Sequence, residues 1–142
     1  KYIEKYIKFK KENSATQAEI QASLAYIYSG ADKFDKAEEY LRQALSLEPE
    51  NPERMENLAY FLIDKDININ EGLELSNKSL EISPDNDRYL DTKGWGLYKQ
   101  GKYEESLEVF KKCLALTPPL SGYLHYVHIE EVKKAVANQK NN

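Results

Sequence analysis

The sequence has little of several residue types, and each shortage argues against a class of protein. No apolar run reaches the roughly 18 residues of a membrane span, so we expect no membrane insertion. Basic residues number 20 against 24 acidic ones, and the net charge of -4 argues against a nucleic-acid partner. The single cysteine, Cys113, cannot form an internal disulfide. It is compatible with the reducing cytoplasm and leaves extracytoplasmic compartments open.

Sequence motifs of catalysis and cofactor binding are also missing. The chain has no HExxH pattern, no glycine-rich phosphate loop and no CxxC pair. Acidic pairs such as Glu38-Glu39 have lysine neighbours on predicted helices. A solvated helix face explains these pairs, because adjacent residues cannot both point at one substrate. We therefore predict a non-catalytic chain without a cofactor.

The histidines and the cysteine each allow two interpretations. His125 and His128, followed by Glu131, would line up on one helix face as possible metal ligands. We favour an exposed face with two incidental histidines, because the spacing alone supplies no supporting second shell. Cys113 has no lysine and histidine cluster in phase with it, so we expect it to pack in the core rather than act as a nucleophile. The sequence therefore predicts no metal site.

What the sequence does have is a period of about 34 residues. Three similar apolar segments end at Pro49, Pro84 and Pro118, which lie 35 and 34 residues apart. Within each period, apolar residues recur at helical spacing on both sides of a short connection, which predicts two antiparallel helices. The predicted units are 18–51, 52–86 and 87–120.

Small residues recur at three points of each unit, where paired helices must approach closely. The first helices contribute one set and the second helices two sets. These nine positions are Ala25, Ala59 and Gly94, then Ala37, Gly72 and Ser106, then Ala44, Ser79 and Cys113.

With these residues in place, the chain resembles the tetratricopeptide repeat family, whose pattern runs W-x2-L-G-x2-Y, then A-x3-F, then P. The resemblance covers about residues 18–120 and implies an all-α, right-handed α-solenoid of helical hairpins. Its main matches are Leu24-Ala25-x2-Tyr28, Ala37-x3-Leu41 and Pro49 in the first unit, and Gly94-x2-Leu97, Ser106-x3-Phe110 and Pro118 in the third.

Two flanking segments complete a predicted single domain. Residues 1–16 carry apolar residues at helical spacing and suit the second helix of a partial repeat, so we expect the chain to be part of a longer protein. Residues 121–142 predict a capping helix with a polar tail, because an open repeat end must cover its last apolar face. We expect Leu124, Val127 and Ile129 to provide that cover.

The resemblance also implies a concave groove, lined by the first helices, that holds a protein or peptide. One groove position is aromatic in every unit, at Tyr26, Tyr60 and Trp95, and these rings are predicted to form a ladder. The alternative is that the rings pack between helices as core. The other predicted groove residues are Ile63 and Tyr98 beside the ladder, and Glu53, Glu56, Arg88 and Asp91 at one end.

The leading functional prediction is a protein- or peptide-binding scaffold. The alternative is a non-catalytic accessory or oligomerisation segment of a larger enzyme or secretion-related protein, and a metal-dependent enzyme using the two histidines comes third. A well-known subfamily grips chaperone C-terminal carboxylates with two Lys, two Asn and one Arg. Only Asn57 and Arg88 match that clamp, so we do not expect this mode.

Overall fold

The computed structural model describes residues 1–118 and 123–141, and every regular element in those ranges is an α-helix. In the described residues three helical hairpins follow one another along the sequence, with one further helix before them and one after them. The helices are α1 Tyr2–Glu12, α2 Gln17–Gly30, α3 Phe34–Leu47, α4 Pro52–Asp64, α5 Ile69–Ile82, α6 Asp87–Lys99, α7 Tyr103–Leu116 and α8 Tyr123–Lys140. The predicted all-α fold class is confirmed.

The chain forms two compact units, residues 1–58 and residues 59–142. The first unit contains α1, the α2–α3 hairpin and the start of α4. The second contains the rest of α4 together with α5, α6, α7 and α8. Within the described residues no helix combines the length and the hydropathy that crossing a bilayer requires.

Helix starts follow from polar side chains that satisfy the first backbone N–H groups. Thr16 and Glu19 form a capping box: the Thr16 hydroxyl accepts from the Glu19 N–H at 3.1 Å, and the Glu19 carboxylate accepts from the Thr16 N–H at 2.7 Å. The Asn68 side chain accepts from the Glu71 N–H at the start of α5, and Asn86 starts α6 in the same way. These caps fix the starts of α2, α5 and α6.

A partly buried ion pair joins the ends of the helices in the first unit. The Glu48 carboxylate, just after α3, accepts from Arg54 Nε at 3.0 Å, from Asn51 at 2.7 Å and from the Thr16 hydroxyl at 3.1 Å. Burial opposes ionisation of Glu48, but these hydrogen bonds and the charge of Arg54 outweigh it and lower the pKa of its carboxyl group. The start of α2 and the start of α4 are thereby held to the end of α3.

All nine predicted small residues are buried, which confirms the predicted positions of close helix approach. Glycine is required at two of them. A Cβ on Gly72 would lie 2.6 Å from Ile63 Cγ1, and one on Gly94 would lie 2.7 Å from Phe110 Cε2. A Cβ at these points would force Ile63 or Phe110 to shift within the close-packed interior.

Two clusters of buried side chains lie among the described residues of the second unit. Ile63, Leu73 and Leu97 form one cluster, from α4, α5 and α6. Phe110 of α7 forms the other with three residues of α8, which are Ile129, Val132 and Val136. The capping helix thus covers the last repeat, as predicted.

The face that α8 turns inward differs from the predicted one. Leu124 and Val127 are 48% and 41% exposed, whereas His125 and His128 are buried beside Ile129. The inward stripe follows positions 125, 128, 129, 132 and 136, which is the spacing of one helix face. The prediction placed the two histidines in solvent and therefore chose the wrong inward face for α8. In the structure both histidines lie on the inward face.

We predict that Ala37→Leu lowers the free energy of unfolding by about 1–3 kcal/mol, because Ala37 is fully buried and the added atoms overpack the α2–α3 hairpin. Ala115→Leu is the matched control on an exposed position of α7, and we expect it to change stability by less than about 0.5 kcal/mol. Chemical denaturation measures both. Equal effects of the two substitutions would contradict the close approach at Ala37.

A chain that ends at Pro118 should lose stability and self-associate, because it exposes the cluster around Phe110 that α8 covers. A chain that ends at Lys140 keeps the whole of α8 and serves as the control. Sedimentation velocity and thermal unfolding compare the two. If the shorter chain stays monomeric and equally stable, α8 does not cap the repeats.

Candidate functional site

A buried polar cluster joins α6 to α8 in the second unit. Oδ2 of Asp91 lies 2.7 Å from Nδ1 of His125, and Oδ1 of Asp91 lies 2.8 Å from Nδ1 of His128. All three side chains are buried. Because an ionised carboxylate only accepts hydrogen bonds, both imidazoles donate through Nδ1–H to the same carboxylate.

This arrangement corrects the expectation of two incidental histidines on an exposed face. Each ring donates to Asp91, and the ring of His128 also stacks on Trp95 with the ring centroids 4.3 Å apart. Glu131, the third residue of the predicted ligand row, lies apart and pairs with Lys134 at 3.1 Å. The histidines therefore face the last repeat, and Glu131 does not join them.

Further polar side chains lie near His125. Its Nε2 lies 3.3 Å from Oδ2 of Asp87, and the Thr117 hydroxyl, which donates to the Cys113 carbonyl at 2.8 Å, lies 3.3 Å from the same carboxylate oxygen. The Cys113 thiol donates to the backbone carbonyl of Asp87 at 3.1 Å. The first turn of α6, the end of α7 and the start of α8 thus meet at one polar cluster.

Cys113 is buried, as the sequence predicts, and it is a poor nucleophile. Burial, reinforced by the negative charge of Asp91, raises the pKa of its thiol to about 12. The thiolate is the nucleophilic form of cysteine. At neutral pH this side chain is therefore a protonated thiol that packs at a helix crossing.

The three predicted ladder positions differ in exposure. Tyr26 of α2 is 84% exposed and Tyr60 of α4 is 38% exposed, so neither ring is buried as core. Trp95 of α6 is half-buried. It stacks on Tyr98 with centroids 4.8 Å apart and packs against both core clusters of the second unit. Trp95 therefore has a structural role that Tyr26 does not have.

The remaining predicted groove residues divide between surface and interior. Glu53 and Arg88 are exposed and Tyr98 is half-buried. Ile63, Glu56 and Asp91 are buried instead, because Ile63 belongs to a core cluster and Asp91 is held by the two histidines. The acidic end expected for the groove retains only Glu53 as an exposed carboxylate.

Sequence reasoning missed the cluster because its members lie 34 and 37 residues apart along the chain. Nothing in the local sequence pairs Asp91 with either histidine. One signal was present: His125 and His128 share the helical spacing of Ile129 and Val132, which marks them as members of the buried face.

Comparison with known proteins agrees with this architecture. Sequence profiles described as Tetratricopeptide repeat match residues 18–61 and 87–120, together more than half of the chain. A TPR repeat-containing protein of Pseudomonas aeruginosa is 32% identical over 81 residues. That match covers 57% of this chain and only 14% of the relative.

Solved structures resemble the chain in fold at low sequence identity. The TPR domain of Sgt2 from Aspergillus fumigatus has a TM-score of 0.79 and 16% identity, covering 90% of this chain and 84% of that one. The first TPR of Spaghetti (RPAP3), bound to the HSP90 peptide SRMEEVD, has a TM-score of 0.73 and 16% identity, covering 85% and 94%. The repeat period, the buried small residues and these matches agree, and the chain belongs to the tetratricopeptide repeat family.

Proposed function

We propose that the chain is a non-catalytic scaffold that binds a protein or peptide through its first-helix aromatic residues. The observation that carries this proposal is the exposure of Tyr26, which is 84% exposed on α2 while Leu24 and Ala25 of the same helix are buried. A large exposed ring costs little conformational entropy to fix and offers much area to a partner. The hairpin packs without it.

Tyr60 supports the same reading in the second unit. It lies on α4 between Ala59 and Phe61, which are both buried, and it keeps 38% of its surface exposed. The 34- and 35-residue spacing is the basis for placing Tyr26, Tyr60 and Trp95 at equivalent repeat positions. Trp95 is the least suitable of the three for testing binding, because its ring also supports the core.

The proposed ligand differs from the peptide held by the Spaghetti domain. That domain binds the HSP90 peptide SRMEEVD. Here only Asn57 and Arg88 match the carboxylate clamp, and Thr92, at another clamp position, is buried. We therefore propose apolar and aromatic anchoring of the partner rather than capture of a terminal carboxylate.

A second proposal is that the chain is an accessory segment of a larger protein. The Pseudomonas relative extends far beyond the matched 81 residues, and this size difference favours the idea. An accessory segment would bind its own parent chain through the same kind of surface. Its partner would then be a neighbouring segment rather than a separate protein.

We predict that Tyr26→Ala and Tyr60→Ala each weaken the partner by about tenfold, because truncating a hot-spot ring costs more than about 1 kcal/mol. The partner is captured from native lysate on the immobilised chain, identified by mass spectrometry and purified for titration calorimetry. Tyr123→Ala, which removes an exposed ring from α8 outside the repeat positions, is the control.

The variants should keep the thermal stability of the unchanged chain, because both rings lie outside the buried core. If both substitutions leave affinity unchanged, or Tyr123→Ala weakens binding equally, the aromatic positions do not define the site. An enzymatic activity that the chain shows by itself would overturn the scaffold proposal.

A further inference from the structure

Three helices bring three potential metal ligands together inside the second unit. They are Asp91 of α6, Cys113 of α7 and His125 of α8, and one ligand atom from each lies within 4.8 Å of the others. All three side chains are buried. This set differs from the helix-face row of His125, His128 and Glu131, because each ligand comes from a different helix.

The donor atoms suit a zinc ion. Zn²⁺ binds thiolate, imidazole and carboxylate groups at about 2.0–2.3 Å in tetrahedral geometry, which places neighbouring ligand atoms roughly 3.3–3.8 Å apart. Oδ2 of Asp91 and Nδ1 of His125 lie 2.7 Å apart and must separate by about 0.6 Å, and no pair of ligand atoms in the set exceeds the required spacing by more than about 1 Å. A mixed sulfur, nitrogen and oxygen set also favours zinc over magnesium or calcium, which take oxygen ligands.

The surroundings supply the second shell that ligating groups require. Nδ1 of His125 lies on the side of Asp91, so a metal held by Nδ1 leaves Nε2 facing the carboxylate of Asp87 at 3.3 Å. Nδ1 of His128 contacts both carboxylate oxygens of Asp91, at 2.8 and 3.1 Å, and orients that ligand. Hydrogen bonds of this kind fix ligand orientation in metal sites.

The cluster is specific to the repeat that α8 covers. The positions equivalent to Cys113 are Ala44 and Ser79, and those equivalent to Asp91 are Ala22 and Glu56. The other two repeats pack with alanine or serine at this crossing. Close packing alone therefore does not explain why the third repeat has a cysteine there.

We propose that Asp91, Cys113 and His125 bind one Zn²⁺ ion, which joins the capping helix to the last repeat. On binding, the thiol proton leaves to solvent and sulfur bonds to the metal. The Nδ1 proton of His125 also leaves to solvent and one proton is taken up on Nε2, so the imidazole stays neutral and directs Nε2–H towards Asp87. Water supplies the fourth ligand. Partner binding through Tyr26 and Tyr60 does not require this ion, so the two proposals stand or fall separately.

The test is a titration of the full, reduced, metal-free chain with Co²⁺, followed by displacement with Zn²⁺. We expect saturation at one ion per chain, with a near-ultraviolet charge-transfer band that reports a cobalt–thiolate bond. Saturating Zn²⁺ should remove the band. At about a hundredfold excess over the Kd, Zn²⁺ should raise the Tm by roughly 5–10 °C, and a chelator should reverse the rise.

Two variants separate metal binding from packing. Cys113→Ser keeps a small side chain like that of Ser79, so the chain should fold but lose the thiolate band. His125→Asn retains a donor for Asp91 and should weaken Co²⁺ at least tenfold. Circular dichroism checks that both variants are folded.

A double variant, Cys113→Ser with Ser79→Cys, is the matched control. It moves the only thiol from α7 to the equivalent buried position of the preceding repeat, on α5, and should give no band. The proposal is overturned if the unchanged chain gives no stoichiometric thiolate band. It is equally overturned if His125→Asn binds Co²⁺ as tightly, or if the double variant gives the same band. The cluster is then a hydrogen-bonded contact without a metal.

Discussion

Close approach of paired helices is the constraint on which the rest of the structure depends. At nine positions the side chain has at most two heavy atoms beyond Cα, and all nine are buried. At Gly94 the ring of Phe110 occupies the space that a Cβ would need. Because the helices lie this close together, the leucines and isoleucines between them fill the core. Tyr26 on α2 keeps most of its surface in solvent, and Tyr60 on α4 keeps part of it. The exposed rings therefore follow from the packing of the hairpins.

Much of the fold was predictable because its signals are local and repeated. The proline period and the small residues each report on nearby backbone, and three copies in phase reinforce them. The inward face of α8 was not predictable from the same rules. A histidine counts as polar when it is considered alone, and the interior becomes favourable for these two because the buried carboxylate of Asp91 contacts both rings.

In the candidate site too, local sequence signals predicted some features, and contacts between distant residues determined the others. Exposure of Tyr26 and Tyr60 agrees with their predicted place on the first helices, because flanking residues supply the buried face. Asp91, Glu56 and Ile63 were assigned to the groove by repeat position alone, and that position does not specify what packs on them. Contacts made by α8 decide the environment of Asp91, and core packing decides that of Ile63. Trp95 occupies a predicted groove position and also packs inside the second unit, where its ring stacks on His128.

A double-mutant cycle between Gly94 and Phe110 tests the close-approach constraint most directly. Gly94→Ala should destabilise the chain by about 1–3 kcal/mol although alanine favours helix, because fully buried Phe110 cannot move away from the new Cβ. Phe110→Leu removes the ring and opens the space. In that background Gly94→Ala should cost at least about 1 kcal/mol less, which is a coupling typical of residues in contact. Costs that add to within about 0.5 kcal/mol would show that the two residues do not meet, and would contradict the account.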